Sequence, residues 1–130
     1  MNSNTLVSHK DIKILVVDDL LTMRDLLIKS LNKLGFLNVI QASDGDIALD
    51  ILLKDQFDLL ITDWNMPNMS GIELTVAIRA NTTLKDIKIL MVTTNDEKSQ
   101  ISEAISAGVD GYLLKPFTLK MLEDNLLVLL

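Results

Sequence analysis

The sequence predicts an α/β fold of the (βα)5 kind, a five-stranded parallel sheet with helices on both faces. Five short apolar, β-prone runs recur at 12–17, 37–41, 57–62, 87–93 and 110–114. Between and after them apolar residues return every three or four positions, the period of a helix. Strict alternation of the two patterns calls for right-handed crossovers, which make the sheet parallel and cover both its faces.

In chain order, the first run, IKILVV, is followed by Met23, Leu27, Leu31 and Leu34, an apolar helical stripe that stops at Gly35 as a C-cap. Ile47 and Ile51 mark the second helix, Leu74 and Ile78 the third. Ile101, Ala104 and Ile105 before Gly108 read as the buried face of the fourth. Thr118 caps the fifth, whose stripe is Leu119, Leu122, Leu126 and Leu129. Residues 1–10 are expected to form a mobile arm and 11–130 a single domain.

Composition excludes several classes of function. Twelve basic against 18 acidic residues, a net charge of −6, leave no basic stripe for a phosphate backbone, so direct nucleic-acid binding is not expected. Without cysteine and with a single histidine, His9, neither a disulfide framework nor a thiolate or imidazole metal site can be built. Any metal must be held by oxygen. The polar start MNSNTLVSHK lacks the apolar core of a signal peptide, and no apolar run reaches the ~18 residues of a membrane span, so a cytoplasmic location is expected.

Folds of this class place their sites outside the carboxyl ends of the strands. Those ends read Asp18-Asp19, Asp63, Thr93-Thr94 and Lys115-Pro116. One aspartate at a strand end is usually a turn or cap residue; the coincidence of several is harder to dismiss. Two carboxylates ~4 Å apart repel by about 4 kcal/mol at an effective dielectric of ~20. A cation would remove that penalty, and an all-oxygen donor set with room for water and phosphate favours Mg²⁺, with Mn²⁺ able to substitute. Asp63 is then the candidate nucleophile toward phosphorus, with the Lys115 ammonium and the Thr93 hydroxyl placed to meet the phosphoryl oxygens.

The motifs VVDD (16–19), TMR (22–24), DWNMPNM (63–69), GIEL (71–74), MVTT (91–94), AGVDGY (107–112) and KPFT (115–118) resemble the receiver domains of two-component response regulators, most closely the single-domain chemotaxis receivers. The resemblance covers residues 11–130 and implies a flavodoxin-like strand order, 2-1-3-4-5. It implies that Asp63 takes a phosphoryl group from the phosphohistidine of a sensor histidine kinase of the CheA type. Asp18, Asp19, Asp63 and the backbone carbonyl of Asn65 would bind Mg²⁺, and Lys115 and Thr93 would hold the phosphoryl group. Thr93 and Tyr112 would form the switch that remodels the face of helix four, strand five and helix five for a flagellar motor switch protein of the FliM type. A monomer is expected, with a phosphatase as a further partner.

Some positions depart from the family's commoner residues: Leu20 and Leu21 after the acid pair, Ser70 before Gly71, and Thr94, where many receivers carry a smaller side chain. Asn65 and Asn95 lie where receivers vary. Trp64, Met66, Met69 and Met91 read chiefly as packing. Two alternatives stay open, a receiver module of a larger or non-chemotaxis protein and a phosphate sink. The chain's close in LLVLL, within a helical stripe, keeps the first of these in view. A conventional enzyme is not expected, because an aspartyl-nucleophile phosphatase would need an acid where Asn65 stands.

Overall fold

In the first strand, β1 (Lys13–Val17), Ile14 and Val16 point to one face of the sheet and Leu15 and Val17 to the other, and all four are fully buried. The computed structural model describes residues 9–130, so the first eight positions of the expected arm lie outside the described residues. From a 3-10 turn at His9–Asp11 the chain runs through β1, α1 (Leu21–Lys33), β2 (Asn38–Ala42), α2 (Gly45–Lys54), β3 (Leu59–Thr62), α3 (Gly71–Ala80), β4 (Lys88–Thr93), α4 (Lys98–Ala107), β5 (Gly111–Leu114) and α5 (Leu119–Leu129). The five strands are parallel in the order β2-β1-β3-β4-β5.

Two cores follow from the alternation of side chains. Leu27 and Leu31 of α1 and Leu122 and Leu126 of α5 pack on one face with Ile14, Val16, Ile61 and Val92. Ala48 and Leu52 of α2, Leu74 and Ile78 of α3 and Ala104 of α4 cover the other. Burial of each large aliphatic side chain contributes about 1.5–3 kcal/mol. Met91 is fully buried, and Trp64, Met66 and Met69 pack against the second core, as packing residues should.

Strands begin one or two residues later than the apolar runs do, and at the entries to β3 and β5 acids take over strand bonds. The Asp58 carboxylate accepts the Lys13 N–H at 2.8 Å, and that of Asp110 accepts the Ile89 N–H at 2.9 Å. Helices α1 and α4 end as expected, with Gly35 and Gly108 at positive φ and the following residues, Phe36 and Val109, bonding back to Leu31 and Ala104. One helix face differs from expectation. Ile105 is 61% exposed while Ala104 is buried, so α4 rests on a narrow contact and turns an isoleucine outward.

Two polar devices hold the connections. Arg79 donates to the carbonyls of Lys85, Ile87 and Gly108 and to the Asp110 carboxylate, tying the ends of α3 and α4 to the start of β5. Asp44 caps α2 through the Gly45 N–H and also accepts the N–H groups of Asn68 and Met69. Burial alone would raise the Asp44 carboxyl's pKa, but these backbone donors outweigh it and hold it below the ordinary value.

Arg79→Lys should lower stability by about 2 kcal/mol, because one ammonium cannot span the four acceptors of a guanidinium fork; urea unfolding measures this. The Asp44 contribution has a defined pH window. With its folded pKa depressed, it is fully present above the unfolded value of ~3.9 and lost as pH falls through the folded value. The stability gap between wild type and Asp44→Asn, about 1–3 kcal/mol at neutral pH because the amide nitrogen leaves a loop N–H without its acceptor, should close in unfolding curves taken toward acid.

Candidate functional site

Strand register builds the site. Val17 pairs with Thr62, and the Asp63 N–H bonds the Val17 carbonyl at 3.0 Å, so Asp18 and Asp63 leave adjacent strands side by side. Thr93 pairs with Leu114, and the Lys115 N–H bonds the Thr93 carbonyl at 2.9 Å, which brings the lysine to the same edge. The chain enters α1 directly after the acid pair, and the Leu20 N–H donates to Asp18 Oδ1 at 2.9 Å.

Asp18, Asp19 and Asp63 each place a carboxylate oxygen within 4.8 Å of the others. The Lys115 ammonium donates to Asp18 Oδ2 at 2.8 Å and to Asp63 Oδ2 at 3.2 Å. Side-chain exposures of 1% for Asp18, 10% for Lys115 and 12% for Asp63 put this triplet away from bulk water, while Asp19 is exposed at the opening. Burial would favour the neutral amine, but bonding to Asp18 and the charges of Asp63 and Asp18 outweigh it and raise the Lys115 pKa. The lysine is therefore a fixed cation. The repulsion anticipated among the acids is offset partly by this lysine, and the remaining negative charge faces the opening through Asp19.

The Trp64 N–H donates to Asp63 Oδ1 at 2.6 Å, leaving Oδ2 toward the lysine. Thr93 is fully buried, and its Oγ1 accepts the Asn95 N–H at 3.3 Å. The Tyr112 hydroxyl donates to the Asn95 carbonyl at 2.6 Å. Its pKa is raised, first by burial and then by the negative charges of Asp63 and Asp96, so it remains a neutral donor. Asn65 Nδ2 reaches Asn95 Oδ1 at 3.2 Å, joining the loop after β3 to the loop after β4. Thr94 and Leu20 are exposed beside these loops.

An all-oxygen group of three carboxylates with one open side fits a hard divalent cation. Asp18, Asp19 and Asp63 are the side chains that could hold it.

The strand order, the acid pair after β1 and the aspartate and lysine ending β3 and β5 define a class. Residues 14–127 match the family described as the response regulator receiver domain, and the chain belongs to that family, whose members are not conventional enzymes. It is a CheY-like receiver. It is 49% identical over 114 residues, 88% of this chain and 92% of the relative, to the chemotaxis protein CheY of Pseudomonas aeruginosa. It is 48% identical over 120 residues, 92% of each chain, to CheY-3 of Vibrio cholerae. The solved structure of Vibrio cholerae CheY4 superposes with a TM-score of 0.85 at 36% identity, covering 92% of this chain and 98% of that one. A receiver domain of a histidine kinase from Syntrophus aciditrophicus gives 0.82 at 25% identity, covering 90% and 88%.

Two residues that sequence reasoning passed over shape the site. Ser70, which the sequence marks only as a departure from the family's commoner residue, forms a capping box with Glu73 that starts α3; the S-x-x-E spacing is its signal. Asp44 went unnoticed, although the S-D-G at 43–45 before an apolar run is a helix-start pattern. Its reach to Asn68 and Met69, some 24 residues away, has no local signal.

Lys115→Ala should leave Asp18 buried and unpaired, lowering metal-free stability by about 3–5 kcal/mol. Mg²⁺ affinity, read by Trp64 fluorescence, should stay the same or tighten, because the ammonium and the metal compete for Asp18 and Asp63. Saturating Mg²⁺ should then restore part of the lost stability. A weakened Mg²⁺ affinity would contradict this assignment of the lysine.

Proposed function

We propose that the chain is a chemotaxis response regulator in which Asp63 accepts a phosphoryl group from the phosphohistidine of a sensor histidine kinase of the CheA type. The observation that carries the reading is the triplet of the buried Asp18 with the half-buried Lys115 and Asp63, the lysine 2.8 and 3.2 Å from the two carboxylates. Asp63 Oδ2, released as Lys115 turns to the phosphoryl group, attacks phosphorus, the P–N bond breaks, and the electron pair ends on the leaving imidazole, which departs neutral because its other nitrogen already carries a proton. Asp18, Asp19, Asp63 and the Asn65 carbonyl would hold Mg²⁺, with Mn²⁺ able to substitute, and the ion when bound supplies positive charge to the phosphoryl oxygens. Lys115 supplies a second cation and exchanges its bond to Asp63 for one to a phosphoryl oxygen. The Thr93 hydroxyl accepts from the Asn95 N–H and is free to donate its own proton to the same group.

Asn95 links the chemistry to the surface. Its N–H bonds Thr93, its carbonyl takes the Tyr112 hydroxyl, and its side chain takes the Asn65 amide. Drawing Thr93 toward a phosphoryl group therefore pulls on the start of α4 and on Tyr112, a two-state element of the kind a phosphorylation switch needs. On α4, β5 and α5, Ile105, Leu114, Leu119 and Met121 are exposed, and this apolar face suits a flagellar motor switch protein of the FliM type. The protein acts as a cytoplasmic monomer, open to a phosphatase. No helix among the described residues is long and apolar enough to cross a membrane. Likeness to a histidine kinase's receiver supports a second reading, a receiver working as a module or phosphate sink.

The test is intact mass after incubation with phosphoramidate or acetyl phosphate. One labile phosphoryl adduct should form in wild type, require Mg²⁺ and be absent from Asp63→Asn. Incorporation into Asp63→Asn at the wild-type rate would falsify the assignment. Binding of the adduct, but not the free protein, to a motor-switch peptide separates output from sink.

A further inference from the structure

We propose that Asp44, at the start of α2, is a positioning residue for the metal and phosphoryl site, acting through the loop that follows Asp63. The inference rests on the phosphoacceptor reading and deepens it. Residues 63–70 connect β3 to α3 and include Asn65. The Gly71 N–H bonds the Trp64 carbonyl at 2.8 Å, closing the loop across its base. Its last residue is held to α3 by the Ser70 and Glu73 capping box. Neither contact involves residues 65–69, and Asp44 reaches two of these, Asn68 and Met69.

Asp44 is 3% exposed. Its Oδ1 accepts the Gly45 N–H at 2.7 Å and the Met69 N–H at 2.8 Å, and its Oδ2 accepts the Asn68 N–H at 3.0 Å. A helix cap alone needs only the first of these. The other two clamp the loop to the first turn of α2, and the contact is close: a Cβ on Gly45 would stand 2.5 Å from the Met69 carbonyl oxygen. Helix α2 is thus a buttress for the loop. Asn65 lies three residues before the clamp, with its side chain on Asn95, so the chain around its carbonyl runs between two fastened points. Releasing the clamp should let that carbonyl drift while leaving Asp18, Asp19, Asp63 and Lys115 on their strand ends. Loss of a contact bonded directly to a ligand weakens metal binding 10- to 100-fold; Asp44 acts one step further out, so the low end of that range, about tenfold, is expected.

Asp44→Ser separates capping from clamping, because serine caps a helix but is too short to reach Asn68 and Met69. Wild type, Asp44→Ser and Asp44→Ala are compared by thermal unfolding, by amide hydrogen exchange at Asn68 and Met69, by Mg²⁺ titration of Trp64 fluorescence, and by phosphoramidate labelling at saturating Mg²⁺. Serine should recover stability relative to alanine, yet exchange both amides rapidly and bind Mg²⁺ about tenfold more weakly than wild type, with the adduct still forming once Mg²⁺ saturates. Wild-type Mg²⁺ affinity in Asp44→Ser overturns the proposal. If the Asp44 variants do not fold, Gly45→Ala, which pushes on the Met69 carbonyl with Asp44 intact, decides it on the same titration, and an unchanged affinity rejects it. A wild type that binds no Mg²⁺ or forms no adduct removes the phosphoacceptor reading and this inference together. A wild type that does both, beside variants of equal affinity, removes the inference alone.

Discussion

The placement of the Lys115 ammonium between Asp18 and Asp63 is the constraint around which the carboxyl edge of the sheet is organised. Two carboxylates leaving neighbouring strands would repel by about 4 kcal/mol at ~4 Å in an effective dielectric of ~20, with Asp18 nearly excluded from water. The lysine makes that juxtaposition tolerable and must itself be delivered from the far edge of the sheet, by β5. A charge-neutral core of one acid and one lysine would be inert. The additional acids leave the cluster net negative and open on the Asp19 side, a place that suits a cation.

The surrounding loops convert that electrostatic demand into geometry. Strand register sets Asp63 beside Asp18 without help from side chains, because Val17 and Thr62 are already paired. What register cannot do is hold the irregular chain beyond the strand ends. Here short-range caps and long-range bonds divide the work: Ser70 with Glu73 starts α3, Asp44 pins the loop at Asn68 and Met69, and Asn65 with Asn95 spans to the neighbouring loop. Asn95 is shared between the site and Tyr112, so a change at one is felt at the other.

Helix α4 is lightly held. Only Ala104 of this helix is fully buried, and its carboxyl end is fastened by Arg79 at the Gly108 carbonyl. The opposite end hangs on the Asn95 loop. A helix anchored at one end and thinly packed along its length has little burial to lose on moving. The sequence reading assigned Ile105 to the core because Ile101, Ala104 and Ile105 share a helical period, but a period shows which residues align and not how wide a stripe the neighbours cover.

By itself the sequence determined the alternation of five strands and five helices, the parallel sheet and the strand-end residues Asp18, Asp19, Asp63, Thr93 and Lys115. These follow from local periodicity and from where each apolar run stops. Motif resemblance added the strand order and drew attention to Asn65 and Tyr112. Only the tertiary structure decided that the lysine bridges two of the acids, that Thr93 and Tyr112 meet at Asn95, that Ile105 faces outward, and that Asp44 grips a loop 24 and 25 residues further on. Hydrogen bonds between distant segments depend on how strands register and helices pack, and those long-range distances leave no period or local spacing in the chain to be read.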